Sequence, residues 1–369
     1  MSELIVYYFA VYTLLIGSIV FIGFFLQLQK EKRYRTNKTF DLQDIVVLVP
    51  FRNEEQRIDV ILKSIERLKS FPKQFLFIND HSTDIAASKV ERFAKNFPVA
   101  LVHSPEAQQG KKMALRFGME QSSSKYILTF DADVSFSPDY FENLATLQEN
   151  EMYLQPAIMK AENFWEHLFE IDLALINAVN VGMAGLKRPL MASGANLLYE
   201  RSVFNEVDSI AEHGKVASGD DMYLLKDYRE NKKDVRLVSG REHAIITETP
   251  QSFREFIDQR LRWLGKTSDL KDHLSTGLAI VQSVLTFLFF AMLLYSMTVG
   301  DWRGAVILLI LKSGIDFLVF LPYFWRIKRL STWLFIPLYE VLFPVYTLII
   351  LSLMLWYKPK WKGRRISHK

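Results

Sequence analysis

The chain has 369 residues, enough for one sizeable domain and further segments, and half of them are hydrophobic. Its formal net charge of +4 comes without a long Lys/Arg block, which argues against a nucleic-acid footprint. The absence of cysteine excludes disulfides, Cys-ligated zinc and a cysteine nucleophile, and fits a reducing compartment.

Leu4 to Leu28 is an almost unbroken apolar run, long enough for a helix to cross a bilayer. It lacks the short core and small-residue cleavage site of a signal peptide; a buried soluble helix is the other reading. Lys30, Lys32, Arg33, Arg35 and Lys38 follow at once, which places the next segment in the cytoplasm by the positive-inside rule.

From Asp44 to about Met159 the pattern alternates. Apolar strands are predicted at 44–50, 74–80 and 99–104, with helical spacing over 52–69, 84–96 and 111–121. A further strand from Tyr126 ends in Asp131 and Asp133. Such alternation predicts an α/β fold with a mostly parallel, doubly wound sheet. Arg52, Asn53 and Glu54, then Asn79 and Asp80, then Asp131 and Asp133 fall at strand ends, where open α/β sheets bind ligands. Carboxylate oxygens suit Mg²⁺ and Mn²⁺. Asp-x-Asp therefore has two readings: a metal site that holds the diphosphate of an activated donor, or a polar loop with a capping Asp.

Residues 162–184 have helical spacing with few charges, as in a core helix or an interfacial one. Residues 191–204 read as a small-residue turn, a strand and a helix start, with Gly194 and Ala195 permitting close backbone approach. Ser218 to Glu230 reads as a helix N-terminus carrying Asp220 and Asp221, where acids also serve as ordinary dipole compensation. Ser252 to His273 is amphipathic and basic, with Arg254, Arg260, Arg262 and Lys266 among bulky apolar residues, as in a helix lying along a membrane surface.

Three apolar runs follow, near 278–299, 305–324 and 333–356. Lys312, Asp316 and Glu340 interrupt them, and ionisable groups at that depth face a bundle interior or a polar passage. Arg326, Lys328 and Arg329 predict a cytoplasmic loop between the second and third runs. A fully crossing last run would put the basic tail, 358–369, outside. Pro337, Glu340 and Pro344 are compatible with a re-entrant segment and a cytoplasmic tail, which we favour.

Taken together, these motifs resemble a membrane-integrated family 2 glycosyltransferase, the inverting kind with a GT-A fold. The resemblance rests on VPFRNEE (49–55), FINDHSTD (77–84), GKKMAL (110–115), DADV (131–134), SGDD (218–221) and QRLRW (259–263), which fits the Gln-x-x-Arg-Trp signature. In the second motif Asn79 stands for the usual first acid and His81 for a glycine, so only Asp80 carries over, as a base or ribose contact. The resemblance implies donor contacts from Pro50, Arg52, Glu54, Asp80, Lys111, Asp131, Gln259, Arg262 and Trp263. It further implies a Mg²⁺ or Mn²⁺ ion on Asp133 and Asp131, a general base in Asp221, and acceptor contacts from Gly194, Asp220 and Trp263. Trp263 offers a flat face to a sugar or, alternatively, a membrane anchor.

The expected layout is an N-terminal transmembrane helix (1–29) and a GT-A nucleotide-sugar-binding domain (42–240) containing an interfacial helix (162–184). An amphipathic segment (241–273), C-terminal transmembrane helices (274–357) and a basic tail (358–369) follow. The expected activity moves a sugar from a nucleotide sugar, a UDP-sugar by family analogy, to a membrane lipid. The enzyme would be multi-pass in a bacterial-type inner (plasma) membrane, with its catalytic domain cytoplasmic and no nucleic-acid partner. About four spans make a small bundle, which favours single transfer over a processive polysaccharide synthase. A non-catalytic nucleotide-sugar-binding scaffold is the alternative of another class.

Overall fold

The computed structural model describes residues 2–35, 39–107, 109–208, 220–269, 272–355, 357, 360–361 and 364–365. Lys38, Ser218, most of the basic tail and the side chains of Asp220 and Lys266 lie outside the described residues.

Helix α1 (Ser2–Ile16) continues through a π-helical stretch, Gly17–Ile22, into α2 (Gly23–Arg33). Strands β1 (Ile45–Phe51), β2 (Gln74–Asn79), β3 (Val99–His103) and β4 (Tyr126–Phe130) alternate with α3 (Ile58–Glu66), α4 (Ala86–Phe93) and α5 (Lys111–Glu120). After β5 (Ser135–Phe136) come α6 (Tyr140–Leu144), β6 (Met152–Leu154), β7 (Ala157–Met159) and the long α7 (Phe164–Gly185). Then follow β8 (Asn196–Glu200), α8 (Arg201–Val207), α9 (Asp220–Glu230), β9 (Val235–Leu237) and β10 (Ile245–Thr247). Helices follow, α10 (Phe253–Asp269), α11 (His273–Thr298), α12 (Trp302–Arg326), the short α13 (Leu330–Trp333) and α14 (Ile336–Met354), and then two short antiparallel strands, Lys360–Trp361 and Arg364–Arg365.

The chain forms two compact units. One, the sheet unit, comprises Gln29–Met159 and Met191–Glu248; the other, the helical unit, comprises Met1–Leu28, Lys160–Leu190 and Thr249–Lys369.

In the sheet unit seven strands run in the order β3-β2-β1-β4-β8-β6-β9, beside a smaller β5-β10-β7 sheet. Strands β3, β2, β1 and β4 are mutually parallel, while β8 is antiparallel to both β4 and β6. All seven residues of β1 and all five of β4 are buried, the near-continuous apolar burial of a sheet covered on both faces. The register aligns the strand ends: Phe51 lies opposite Asn79, and Asn79 opposite His103, while Leu48 faces Thr129. Arg52, Asp80 and Asp131, each just beyond its strand, therefore emerge on one rim.

Helix α3 begins at Ile58, not at Arg52 as spacing predicted. Asn53 instead takes a left-handed φ of 51°, its side chain accepts from the Thr83 amide, and its own amide donates to Ser82 Oγ. The 52–57 stretch is thus a loop tied to the β2 loop, which leaves Arg52 and Glu54 at the rim.

Among the described residues five helices are long and apolar enough to cross a membrane, including α7. The most apolar stretch of α7 is 72% buried, against 22–39% for the other four, so its apolarity serves packing within the structure. Gly23 and Gly182 let the N-terminal helix and α7 touch backbone to backbone: a β-carbon on Gly182 would overlap the Ile19 carbonyl, and one on Gly23 would overlap that of Gly182. The predicted interior charges meet one another. Lys312 Nζ donates to Asp316 Oδ2 and Glu340 Oε2, each at 2.7 Å, and to Tyr12 Oη at 2.9 Å. Tyr12 Oη in turn donates to Asp316 Oδ1 at 2.7 Å.

Candidate active site

The rim of the sheet unit gathers most of the residues singled out from sequence. Lys111, the first residue of α5, places its ammonium 2.5 Å from Asp131 Oδ1. The preceding Gly110 has φ +97°, a conformation costly for any side-chain-bearing residue, and its amide donates to both carboxylate oxygens of Asp80 at 3.0 and 3.1 Å. Asp80, only 4% exposed, therefore secures the turn that presents Lys111. Arg52 Nη1 donates to the Asp80 carbonyl at 3.3 Å, and Pro50 is buried in β1 opposite Ile78.

Arg57, which the sequence reading did not single out, links two expected site residues. Its Nε lies 3.3 Å from Glu54 Oε2 and its Nη1 3.5 Å from Asp133 Oδ2. The predicted helix from Arg52 put Arg57 on a helix face. The left-handed Asn53 that ends this possibility is a residue type enriched there, and was the available signal.

Position 81, where the family pattern has glycine, also has a left-handed backbone, with φ 58° at His81. The conformation that glycine ordinarily supplies is thus kept with a different side chain. His81 Nε2 lies 4.0 Å from Asp80 Oδ1.

Asp221 opens α9. Its Oδ2 accepts from the Gly194 amide at 3.0 Å and its Oδ1 from the Met222 amide at 2.9 Å, which fixes the carboxylate plane. A carbon placed at the missing Cβ of Gly194 would lie 3.5 Å from Asp221 Oδ2 and 3.6 Å from Lys111 Nζ. The strand-end pair Lys111–Asp131 and the helix-start Asp221 therefore flank one point of backbone. They come together from positions far apart in the chain.

An open cleft of about 530 Å³, part of it continuous with solvent, is lined by Gly194 and Asp221 together with Lys112, Arg116, Thr129 and Asp227. Arg116 pairs with Asp208 beside it, and Lys112 Nζ sits 5.5 Å above the Tyr223 ring.

Among the described residues no group of three or more His, Asp or Glu side chains could hold a metal ion. The two carboxylates at the end of β4 nevertheless fit a hard divalent cation. Such an ion is often held by one or two protein carboxylates, with phosphate oxygens and water completing its shell. Asp131 and Asp133 are 40% and 23% exposed, which leaves oxygens accessible at the rim.

Gln259, Arg262 and Trp263 lie on α10, in the helical unit. Burial lowers Arg262 from its ordinary pKa, opposed by Asp258 and Glu255. Gln259 Oε1 is buried without a hydrogen-bond partner among the described residues. Trp263 stacks on a neighbour within its own helix, its ring centre 4.2 Å from Arg260 Cζ.

Residues 46–208 match the family model described as Glycosyl transferase family 2. The chain is 32% identical over 130 residues to a poly-beta-1,6-N-acetyl-D-glucosamine synthase of Staphylococcus aureus (strain COL), covering 34% of this chain and 30% of the relative. It is 30% identical over 127 residues to the enzyme of that name from Staphylococcus epidermidis, again covering 34% and 30%. The chain thus spans less than a third of the length of these curated relatives. Among solved structures it is similar to the mannosyltransferase PcManGT from Pyrobaculum calidifontis, solved with GDP-Man and Mn²⁺. That likeness has a TM-score of 0.56 at 16% identity and covers 93% of this chain and 98% of the other. The shared fold is GT-A.

Proposed function

We propose, from the premise that residues 46–208 form a glycosyl transferase family 2 domain, that the chain is an inverting glycosyltransferase. It moves a sugar from a nucleotide sugar to a membrane-associated lipid at the cytoplasmic face of a bacterial-type inner membrane. The observation that carries the reading is the convergence of Asp221, Gly194, Lys111 and Asp131 around one point of the rim.

The chemistry follows from the groups present. An acceptor hydroxyl must lose its proton as it attacks, and one fixed carboxylate suffices as base. Asp221 is that base in our reading: the Gly194 and Met222 amides hold its oxygens in place. Attack in line with the departing diphosphate inverts the anomeric carbon and needs no covalent enzyme nucleophile. Lys111, now on Asp131, is positioned to turn to the donor's diphosphate, and Arg52, Glu54, Asp80 and Pro50 form the nucleotide end of the rim. A divalent ion on Asp133 and Asp131, Mg²⁺ or Mn²⁺, would supply positive charge against the leaving diphosphate. Gln259, Arg262 and Trp263 are assigned to the donor, Trp263 also to the acceptor, on the strength of their motif. Gly194 and Asp220 are assigned to the acceptor. A UDP-sugar is the donor we would offer first.

The names of the two staphylococcal relatives favour a second reading, processive synthesis of a polysaccharide. The test is nucleotide release by the detergent-purified chain, offered a panel of nucleotide sugars with Mn²⁺ or Mg²⁺, with and without membrane lipid. Turnover that needs both metal and lipid, and stops in Asp221→Asn, supports the lipid transferase. A growing polymer without added lipid supports the second reading. Silence with every donor overturns both and leaves a non-catalytic scaffold.

A further inference from the structure

We propose that Arg57 exchanges between Asp133 and the diphosphate of the donor, and so couples the binding of a divalent cation to that of the nucleotide. The inference rests on the nucleotide-sugar reading and adds a residue that no motif assigns, since Arg57 lies just beyond the 49–55 stretch.

The backbone at Arg57 is fixed. The Glu54 carbonyl accepts from the Arg57 amide at 3.0 Å and from the Ile58 amide at 2.8 Å, which closes the turn into α3. The side chain is held unequally at its two edges. Its Nε faces Oε2 of Glu54, a side chain only 6% exposed, at 3.3 Å. Its Nη1 stands 3.5 Å from Asp133 Oδ2, longer than an ordinary N–H···O bond, and the Arg57 side chain is 40% exposed. A solvated pair of this kind is weak and readily exchanged. Glu54 is therefore the anchor of the guanidinium, and Asp133 is its replaceable partner.

Charge decides when Arg57 leaves. At the end of β4 two carboxylates each face a basic side chain, Asp131 with Lys111 and Asp133 with Arg57. A divalent ion on the same two carboxylates brings two positive charges of its own. With both bases still in place the rim would be net positive, and like charges at that range repel. Arg57 is the looser of the two bases, at 3.5 Å against 2.5 Å for Lys111. Displaced from Asp133 but still tethered through Nε, it turns its Nη edge to the rim, and that fork matches phosphate oxygens. A bound donor offers it the diphosphate. Without a donor, Arg57 competes with the ion for Asp133. Metal and nucleotide thus favour each other, by linkage to an equal degree.

The experiment measures Mn²⁺ binding to the full chain in detergent, by the electron paramagnetic resonance signal of the free ion. It is run with and without UDP or GDP, and with no acceptor. In Arg57→Gln, Mn²⁺ alone is expected to bind about two- to fivefold more tightly than in the parent chain, the range of a lost exposed pair. The gain in Mn²⁺ affinity on adding nucleotide should shrink by about tenfold, as expected for loss of hydrogen bonds to a charged group. A residue that only braced the loop would weaken both. Lys63→Gln removes an exposed charge from the same helix and should change neither. Arg57→Lys keeps the charge and loses the fork, so its nucleotide gain should fall at least threefold. It is read on its own if the Gln variant fails to give a native near-ultraviolet circular dichroism spectrum. Mn²⁺ alone bound no more tightly by Arg57→Gln, an unchanged nucleotide gain in a folded Arg57 variant, or the same shifts in Lys63→Gln overturns the proposal. If the parent chain binds neither nucleotide, the nucleotide-sugar reading falls and this coupling with it. Failed sugar transfer with the expected binding shifts counts against the transferase activity only. Sugar transfer with binding shifts absent counts against Arg57 only.

Discussion

The two units treat their charges in opposite ways. At the rim of the sheet unit, Lys111 meets Asp131 and Arg57 meets Asp133 in pairs that stay open to solvent, with Asp131 and Arg57 each 40% exposed. In the helical unit, Lys312, Asp316 and Glu340 are 5%, 4% and 12% exposed and satisfy one another together with Tyr12. An exposed pair contributes little to stability, about 0–1 kcal/mol, so a ligand can take either partner at small cost. A buried cluster cannot release a member without stranding a charge. The first arrangement is suited to exchange, the second to holding helices together.

The largest effect should be kinetic. Asp221→Asn is expected to lower turnover by about 10²–10⁴-fold, the range of a lost general base, with a stability loss of no more than about 1–3 kcal/mol, because Asn can accept from only one of the Gly194 and Met222 amides. Single-turnover kinetics and thermal unfolding of the same preparation check both halves. Lys312→Met should do the reverse to the fold. Removing the cation leaves two buried carboxylates opposed, at a cost of about 3–5 kcal/mol, read as unfolding in detergent. If this variant melts like the parent, the cluster is not a structural lock.

Asp133→Asn tests the exchangeable class directly. It should cost about 10²-fold in turnover with a raised metal requirement, yet leave stability within about 1 kcal/mol, because its protein partner is exposed. A large stability loss would erase the distinction between the units. Gly182→Val forces a side chain into the Ile19 carbonyl and should destabilise by about 1–3 kcal/mol, seen as an earlier midpoint in detergent. The smallest effect is expected from His81→Gly. Relief of the left-handed backbone, offset by glycine's greater chain entropy, should shift stability by no more than about 1 kcal/mol, measured by denaturant titration of the full chain.

The sheet core and its rim were legible because strands covered on both faces read as apolar runs, and each run stops where the chain leaves the sheet. That logic found Asp80 and Asp131 without any contact information, while Lys111, at a helix start, was singled out by the resemblance of its GKKMAL stretch. It misplaced the start of α3, because 52–57 has helical spacing and periodicity does not register the left-handed turn at Asn53. Arg57 was lost with it. Helix α7 posed a different difficulty. Its composition suits a core helix, an interfacial one and a span alike, and only its burial shows that its apolar residues are used in packing.

By itself the sequence determined the alternation of strand and helix, the apolar segments and the chemical kinds of residue at each strand end. These are local properties, carried by spacing and composition within a few turns of chain. The tertiary structure alone decided which of those residues meet. Asp80 turns out to hold Gly110, thirty positions away, and Tyr12 finds Asp316 at a separation of 304 residues. Asp221 reaches the Lys111–Asp131 pair through the backbone of Gly194. Periodicity reports which face of an element is apolar. Which elements that face packs against, and hence which charges become partners, depends on the packing of the whole unit.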